Sequence, residues 1–232
     1  MRLLRQQRHI LLAIFILLGA ALRLVSLGGR SLWLDEIFTA VFVSPDQPLA
    51  NVFQYALGTP IPAPPLWFIV IHGFTSVLGA SEFVLRLPSA LIGILAIALI
   101  YRAGTVLFGR TEGVIAAFFL AVSPYHLYYS REARYYAALT FFSLVTMVFL
   151  YLAVRRRQWR WWLAFAAVSV VNVYTHLTAF FVLLAEMVFV GSIWLWRQIV
   201  LDEPPEERAG APGRWGRKSC YSKPAMQQGG YL

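Results

Sequence analysis

The chain has 232 residues, 59% hydrophobic and 13% charged, with a mean hydropathy of +0.64 and a formal net charge of +9. An average soluble domain is about 45–50% apolar and about 25% charged, so these proportions exclude an ordinary soluble enzyme and indicate an all-α polytopic membrane protein. Cys220 is the single cysteine, which removes a disulfide framework and a thiolate metal cluster from consideration.

The first apolar run, His9–Leu27, supplies 19 residues. That is close to the roughly 20 needed to cross about 30 Å of hydrocarbon. Arg2, Arg5 and Arg8 precede it, and Arg23 is near enough to its far end to snorkel. Its length, and the lack of a clean small-x-small site after it, favour a retained helix over a cleaved signal peptide. A long loop follows, Gly28–Arg86, carrying Asp35, Glu36, Asp46 and Glu82. Its stretch from Pro60 to Pro65 is too proline-rich for regular helix. The apolar segment Leu66–Leu78 is short for a span, and Trp67 and Phe68 suit it to lie in the interface.

Five further spans are expected at Leu87–Phe108, Gly113–Tyr129, Tyr135–Val154, Trp161–Tyr174 and Thr178–Trp196. Arg110, the block Arg155, Arg156, Arg157 and Arg160, and Arg197 fall between or after spans on one side. The positive-inside rule places these with the N-terminal arginines in the cytoplasm, in an inner (plasma) membrane protein. The outer loops are then Gly28–Arg86, Ser130–Arg134 and the turn at Thr175-His176. Residues 1–200 read as one transmembrane domain, and 201–232, rich in Gly, Pro and Arg, as a disordered cytoplasmic tail. The cations are divided among loops, which points to topology and anionic lipid and away from nucleic acid.

This topology gathers Asp35, Glu36, Arg86, Arg131, Glu132 and Arg134 at the outer face. Carboxylates beside guanidiniums suit a phosphate-bearing donor and an acceptor to be deprotonated. A second reading of Ser130–Arg134 is a set of loop ion pairs. His72 and His126 suit an aromatic-belt or hydrogen-bonding role better than metal ligation, and His176 suits the mouth of an outer cavity without a ligand-spaced partner. Glu186, in mid-span, is a functional candidate by its position. Trp159–Trp162 reads as a cytoplasmic interface anchor.

In order along the chain, Leu34-Asp-Glu-Ile-Phe38, Pro64-Pro-Leu-Trp67, Ser81–Ala90, Leu107-Phe-Gly-Arg110 and Ser123–Ala137 resemble the N-terminal half of bacterial glycosyltransferase family 39 proteins. These are relatives of protein O-mannosyltransferases and of the lipid A aminoarabinose transferase. The resemblance covers about residues 8–196 and implies a GT-C fold with an extracytoplasmic active site. It further implies a multi-pass glycosyltransferase moving a sugar from a polyprenyl-phosphate donor to an extracytoplasmic lipid, glycan or protein. By the same resemblance Asp35 is general base or acceptor-orienting group with Glu36 its partner, and Arg86 binds donor phosphate. Arg131, Glu132, Arg134 and Tyr135 fall in the second-loop signature, counted here as substrate-binding. No cofactor follows from it, and a divalent metal is left open. Ala63 stands where many relatives carry His or Lys. About six spans, against around a dozen in relatives, raise the expectation of a truncated product. A lipid-linked-sugar transporter or flippase, or a noncatalytic membrane partner, is the competing reading.

The arginine blocks make the topology testable. A cysteine replacing Ser31 should react with an impermeant thiol reagent added to intact cells, and one replacing Gln158 should not; the opposite labelling would overturn the six-span arrangement.

Overall fold

The computed structural model describes residues 2–58 and 64–202. Ala63, much of the Pro60–Pro65 stretch and nearly all of the expected 201–232 tail lie outside the described residues. The described residues contain ten helices and no strand. In order these are α1 (Arg2–Leu24), α2 (Leu34–Phe42), α3 (Leu49–Gly58), α4 (Leu66–Leu78), α5 (Glu82–Leu107), α6 (Arg110–Val122), α7 (Pro124–Ser130), α8 (Tyr136–Arg156), α9 (Trp159–Thr175) and α10 (Ala179–Asp202). Four stretches are long and apolar enough to cross a membrane: Gln7–Leu24, Glu82–Leu107, Tyr136–Arg156 and Ala179–Trp196. The protein is an all-α membrane protein.

Each of the six expected spans is helical, but two differ in length. The segment expected at Gly113–Tyr129 divides into α6 and α7 because Pro124 lacks an N–H and cannot continue the helix through Ser123. Ser123 caps the new start, its side chain accepting from the N–H of His126. Helix α9 has 17 residues, at the short end of the spanning range. Leu66–Leu78 forms the expected 13-residue helix. The long first loop is more ordered than its composition suggested, since it also contains α2 and α3. Their apolar faces meet α4, α5 and the start of α8 in one cluster: Val43, Val52, Trp67, Phe68, Ile71, Leu85, Ala133 and Ala138 are all buried. Thr75 of α4 donates to the carbonyl of Val43 at 2.7 Å, tying the turn after α2 to this core.

Helix α5 is the central strut, packing on α1, α4, α6, α7 and α8. Against α6 it approaches to backbone contact. A Cβ on Gly104 would lie 2.8 Å from the Cα of Gly113, and one on Gly113 would lie 2.6 Å from the carbonyl oxygen of Tyr101. Small residues allow such contact where lipid provides no hydrophobic drive between helices.

Arg23 corrects the sequence reading. It does not snorkel but is fully buried, donating to the carbonyls of Gly19 (2.9 Å), Leu120 (3.2 Å) and Ala121 (3.2 Å) and to Nδ1 of His126 (2.9 Å). The break at Pro124 leaves the last carbonyls of α6 without helical partners, and a guanidinium supplies donors where water is scarce.

The chain forms two compact units, Met1–Val188 and a second beginning at Phe189. Of the latter, the described part is the end of α10, to residue 202.

The α5–α6 contact gives a direct test. Gly113→Ala places a methyl against backbone that cannot yield as a flexible side chain would, and should cost about 1–3 kcal/mol by overpacking. Thermal unfolding in detergent would register this as a lowered midpoint; an unchanged midpoint would refute the close packing.

Candidate active site

Asp35 and Glu36 fall in the first turn of α2, where carboxylates are favoured by the exposed N–H groups of the helix start. Adjacent helical positions point about 100° apart. Glu36 is therefore turned inward and fully buried, while the side chain of Asp35 remains 39% exposed.

Glu36 meets Arg86, which sits one turn into α5, in a two-pronged pair. Nε donates to Oε1 at 2.9 Å and Nη2 to Oε2 at 2.6 Å. The carboxylate also accepts from the backbone N–H of Ala133 at 2.8 Å and, at 3.5 Å, from that of Trp33. Burial pushes the Glu36 carboxyl up, but Arg86 and the two N–H groups outweigh burial and hold it below the ordinary carboxylate range. Arg86 spends its remaining donors on the carbonyls of Leu27 (3.0 Å), Arg30 (2.8 Å) and Ser31 (3.2 Å). A guanidinium has five N–H groups, and all five are engaged here. The phosphate-binding part expected of Arg86 thus has no donor to serve it in this arrangement, and Glu36 has no basic lone pair turned to a substrate.

The segment expected as a polar outer loop is pinned at three points. Arg131 caps the end of α1, donating to the carbonyls of Leu22, Val25 and Ser26 at 2.9–3.1 Å. Ala133 gives its N–H to Glu36, and Ser89 of α5 donates to the carbonyl of Arg134 at 3.0 Å. Arg131 accordingly has its fork turned to backbone.

Asp35, Glu132 and Arg134 keep unspent capacity, while the Tyr135 hydroxyl accepts from Arg134 Nη2 at 3.5 Å. Arg134 Nη2 lies 3.6 Å from Asp35 Oδ2, and its buried Nε has no partner among the described residues. Its guanidinium stands 5.0 Å from the centre of the Tyr135 ring. Glu132 is buried, and its Oε2 has no partner among the described residues. Burial pushes its carboxyl up against the pull of the Tyr128 hydroxyl and the Arg134 charge. The other face of the group is closed by His176, whose ring stacks on Tyr135 at 3.8 Å and 16°. His176 Nδ1 accepts from the N–H of Thr178, which leaves the proton on Nε2. Burial and Arg134 favour its neutral form. Among the described residues no three His, Cys, Asp or Glu side chains stand as a metal-binding group.

Residues 62–203 match the family described as dolichyl-phosphate-mannose-protein mannosyltransferase. The chain belongs to that family. The match includes Arg86, Arg131, Glu132, Arg134, Tyr135 and His176, while Asp35 and Glu36 precede it. Over 168 residues the chain is 26% identical to "Putative mannosyltransferase YkcB" of Bacillus subtilis (strain 168). That alignment takes in 69% of this chain and 23% of the relative, so the chain corresponds to about a quarter of the longer protein. No solved structure matches the chain.

The ion pair sets the acid response of this family member. Because its folded carboxyl lies below the ordinary range, Glu36 contributes stability that is present above that range and lost as pH falls through the folded value. Glu132 runs the other way, its contribution present below the ordinary range and lost as pH rises through its raised value. Glu36→Gln should cost about 3–5 kcal/mol by leaving Arg86 buried and uncompensated, and should abolish the Glu36 part of the acid sensitivity. Unfolding midpoints across acid pH check both; an equally steep acid response in the variant would contradict the assignment.

Proposed function

We propose that the chain carries the acceptor-activating part of a membrane glycosyltransferase that moves a sugar from a polyprenyl-phosphate donor to an acceptor at the extracytoplasmic face. The observation that carries this reading is the pair of unlike neighbours on α2. Glu36 is locked to Arg86, and Asp35 is left with an exposed carboxylate beside the partly free guanidinium of Arg134. Family membership supports a lipid-linked donor, and the bilayer supplies the route by which such a donor arrives.

In the proposed reaction Asp35 takes the proton of an acceptor hydroxyl. The acceptor oxygen bonds to the anomeric carbon of the donor sugar, and the bond from that carbon to the phosphate oxygen breaks. Polyprenyl phosphate departs with the electron pair. Its negative charge needs a cation, and Arg134, with Nε unspent, replaces Arg86 in that part. Tyr135, held between Arg134 and His176, sets the position of the guanidinium. Glu36, Arg86 and Arg131 hold the frame, and Glu132, kept toward its neutral form, serves as a hydrogen-bond donor near the leaving group.

Transfer from a radiolabelled polyprenyl-phosphate sugar in membrane vesicles tests the scheme, in this chain or in a full-length relative carrying its residues. Asp35→Asn preserves shape and removes basicity, and should lower transfer by roughly 10²–10⁴-fold. Arg134→Lys loses the fork and should impair donor use more than acceptor use. Near-normal transfer by an inserted, folded Asp35→Asn protein would defeat the proposal, and donor movement across the bilayer without transfer would favour a flippase.

A further inference from the structure

The turn between α8 and α9 carries Arg155, Arg156, Arg157 and Arg160, and residues 155–160 are all exposed. Between Glu132 and Glu186 the chain has no Asp or Glu. Glu132 lies beyond the far end of α8, a helix of 21 residues and so about 30 Å long, and Glu186 is bonded to Thr146 in the middle of that helix. Among the described residues none of the four arginines has a carboxylate partner.

Orienting the spans requires only a number of cations on one side. Their placement here is more specific than that. Arg156 and Arg160 stand at the same Trp161 ring, each guanidinium carbon 5.4 Å from its centre, so the two like charges are at most twice that distance apart. Arg155 is turned back on Tyr151, whose hydroxyl accepts from it. Arg157 ends α8 in the left-handed conformation, φ 52°, which side chains rarely adopt. The reversal opens a concavity of about 480 Å³ lined by Arg157, Gln158, Trp159 and Arg160. Helix α9 then starts with a cation and no acid in its first turn, and no side chain caps it, although its leading N–H groups favour negative charge.

These features select a ligand. Crowded guanidiniums without a carboxylate suit a phosphate, whose oxygens arginine grips bidentately. A zwitterionic headgroup would bring its ammonium among four cations. Free phosphate would leave Trp159, Trp162 and Leu163, all exposed, without an apolar partner, whereas an acyl chain beside α9 meets them. We propose that the α8–α9 turn binds the headgroup of one anionic phospholipid, its phosphate held in the concavity by Arg157 and Arg160 and its acyl chains along the start of α9. The site is at the opposite end of α8 from the candidate active site and is independent of the glycosyltransferase reading.

Native mass spectrometry of the purified chain, released from detergent micelles, tests the site with dioleoyl phosphatidylglycerol and dioleoyl phosphatidylcholine as probes. The chain should retain one phosphatidylglycerol under conditions that strip phosphatidylcholine, and excess inorganic phosphate should not displace it. Arg157→Gln with Arg160→Gln should weaken retention about tenfold or more, as expected for the loss of charged hydrogen bonds. Arg157→Lys with Arg160→Lys keeps the charges that set topology but loses the forks, and should weaken it roughly threefold. Arg102→Gln with Arg110→Gln removes two exposed arginines elsewhere and should leave retention unchanged. Equal retention of the two lipids, displacement by inorganic phosphate, or the same loss in the Arg102 and Arg110 variant as in the Arg157 and Arg160 variant overturns the proposal. So does retention that appears only after Asp202, Glu203, Glu206 and Glu207 are neutralised, because the chain's own acids would then be the partner.

Discussion

Everything around the start of α2 depends on the burial of one ion pair. Removing two charges from water is expensive, and attraction between them repays that cost only when geometry is good and the leftover donors and acceptors are satisfied. Glu36 and Arg86 meet both conditions. Each carboxylate oxygen accepts two contacts and each guanidinium hydrogen has a taker. The acceptors of Arg86 are carbonyls of the chain leaving α1, and the extra donor to Glu36 is the backbone ahead of α8. The pair consequently holds α1, α2, α5 and the approach to α8 in one arrangement.

That arrangement separates two carboxylates that adjoin in sequence. A single step along a helix turns one into the protein and the other toward water. Rigidity comes from the buried one, and the proposed chemistry falls to the exposed one. The same division of labour operates among the arginines. Arg23 and Arg131 finish helix ends, Arg86 holds the frame, and Arg134, with a contact of 3.6 Å and an idle Nε, retains capacity for a ligand.

Much of the fold was legible in the sequence because lipid demands long apolar runs and satisfied backbone, and both leave a signature in hydropathy. The four long spans and the short helix Leu66–Leu78 could both be read. What could not be read was set by partners far away in the chain. Helices α2 and α3 are short, and they are fixed by packing on Trp67, Phe68 and Leu85 rather than by their own periodicity. Arg23 looked like a snorkelling residue because nothing local announces that α6 stops short at Pro124 and leaves carbonyls to be capped. The partners of Arg86 were out of reach for a related reason: motif resemblance identifies a residue type at a place, while the fate of its five hydrogens depends on backbone 55–59 residues upstream.

The separation of the clamp's parts along the chain also bears on biogenesis. Arg86 is made 50 residues after Glu36, and Ala133 comes 97 residues after it. At synthesis rates of about 5–20 residues per second, Glu36 waits roughly 5–20 s for its last donor. During that interval α2 has no inward anchor, and the first span lacks the cap that Arg131 later supplies. The clamp is therefore completed only once the backbone ahead of α8 has been made, and nascent chains stalled before Ala133 should retain a protease-sensitive first loop.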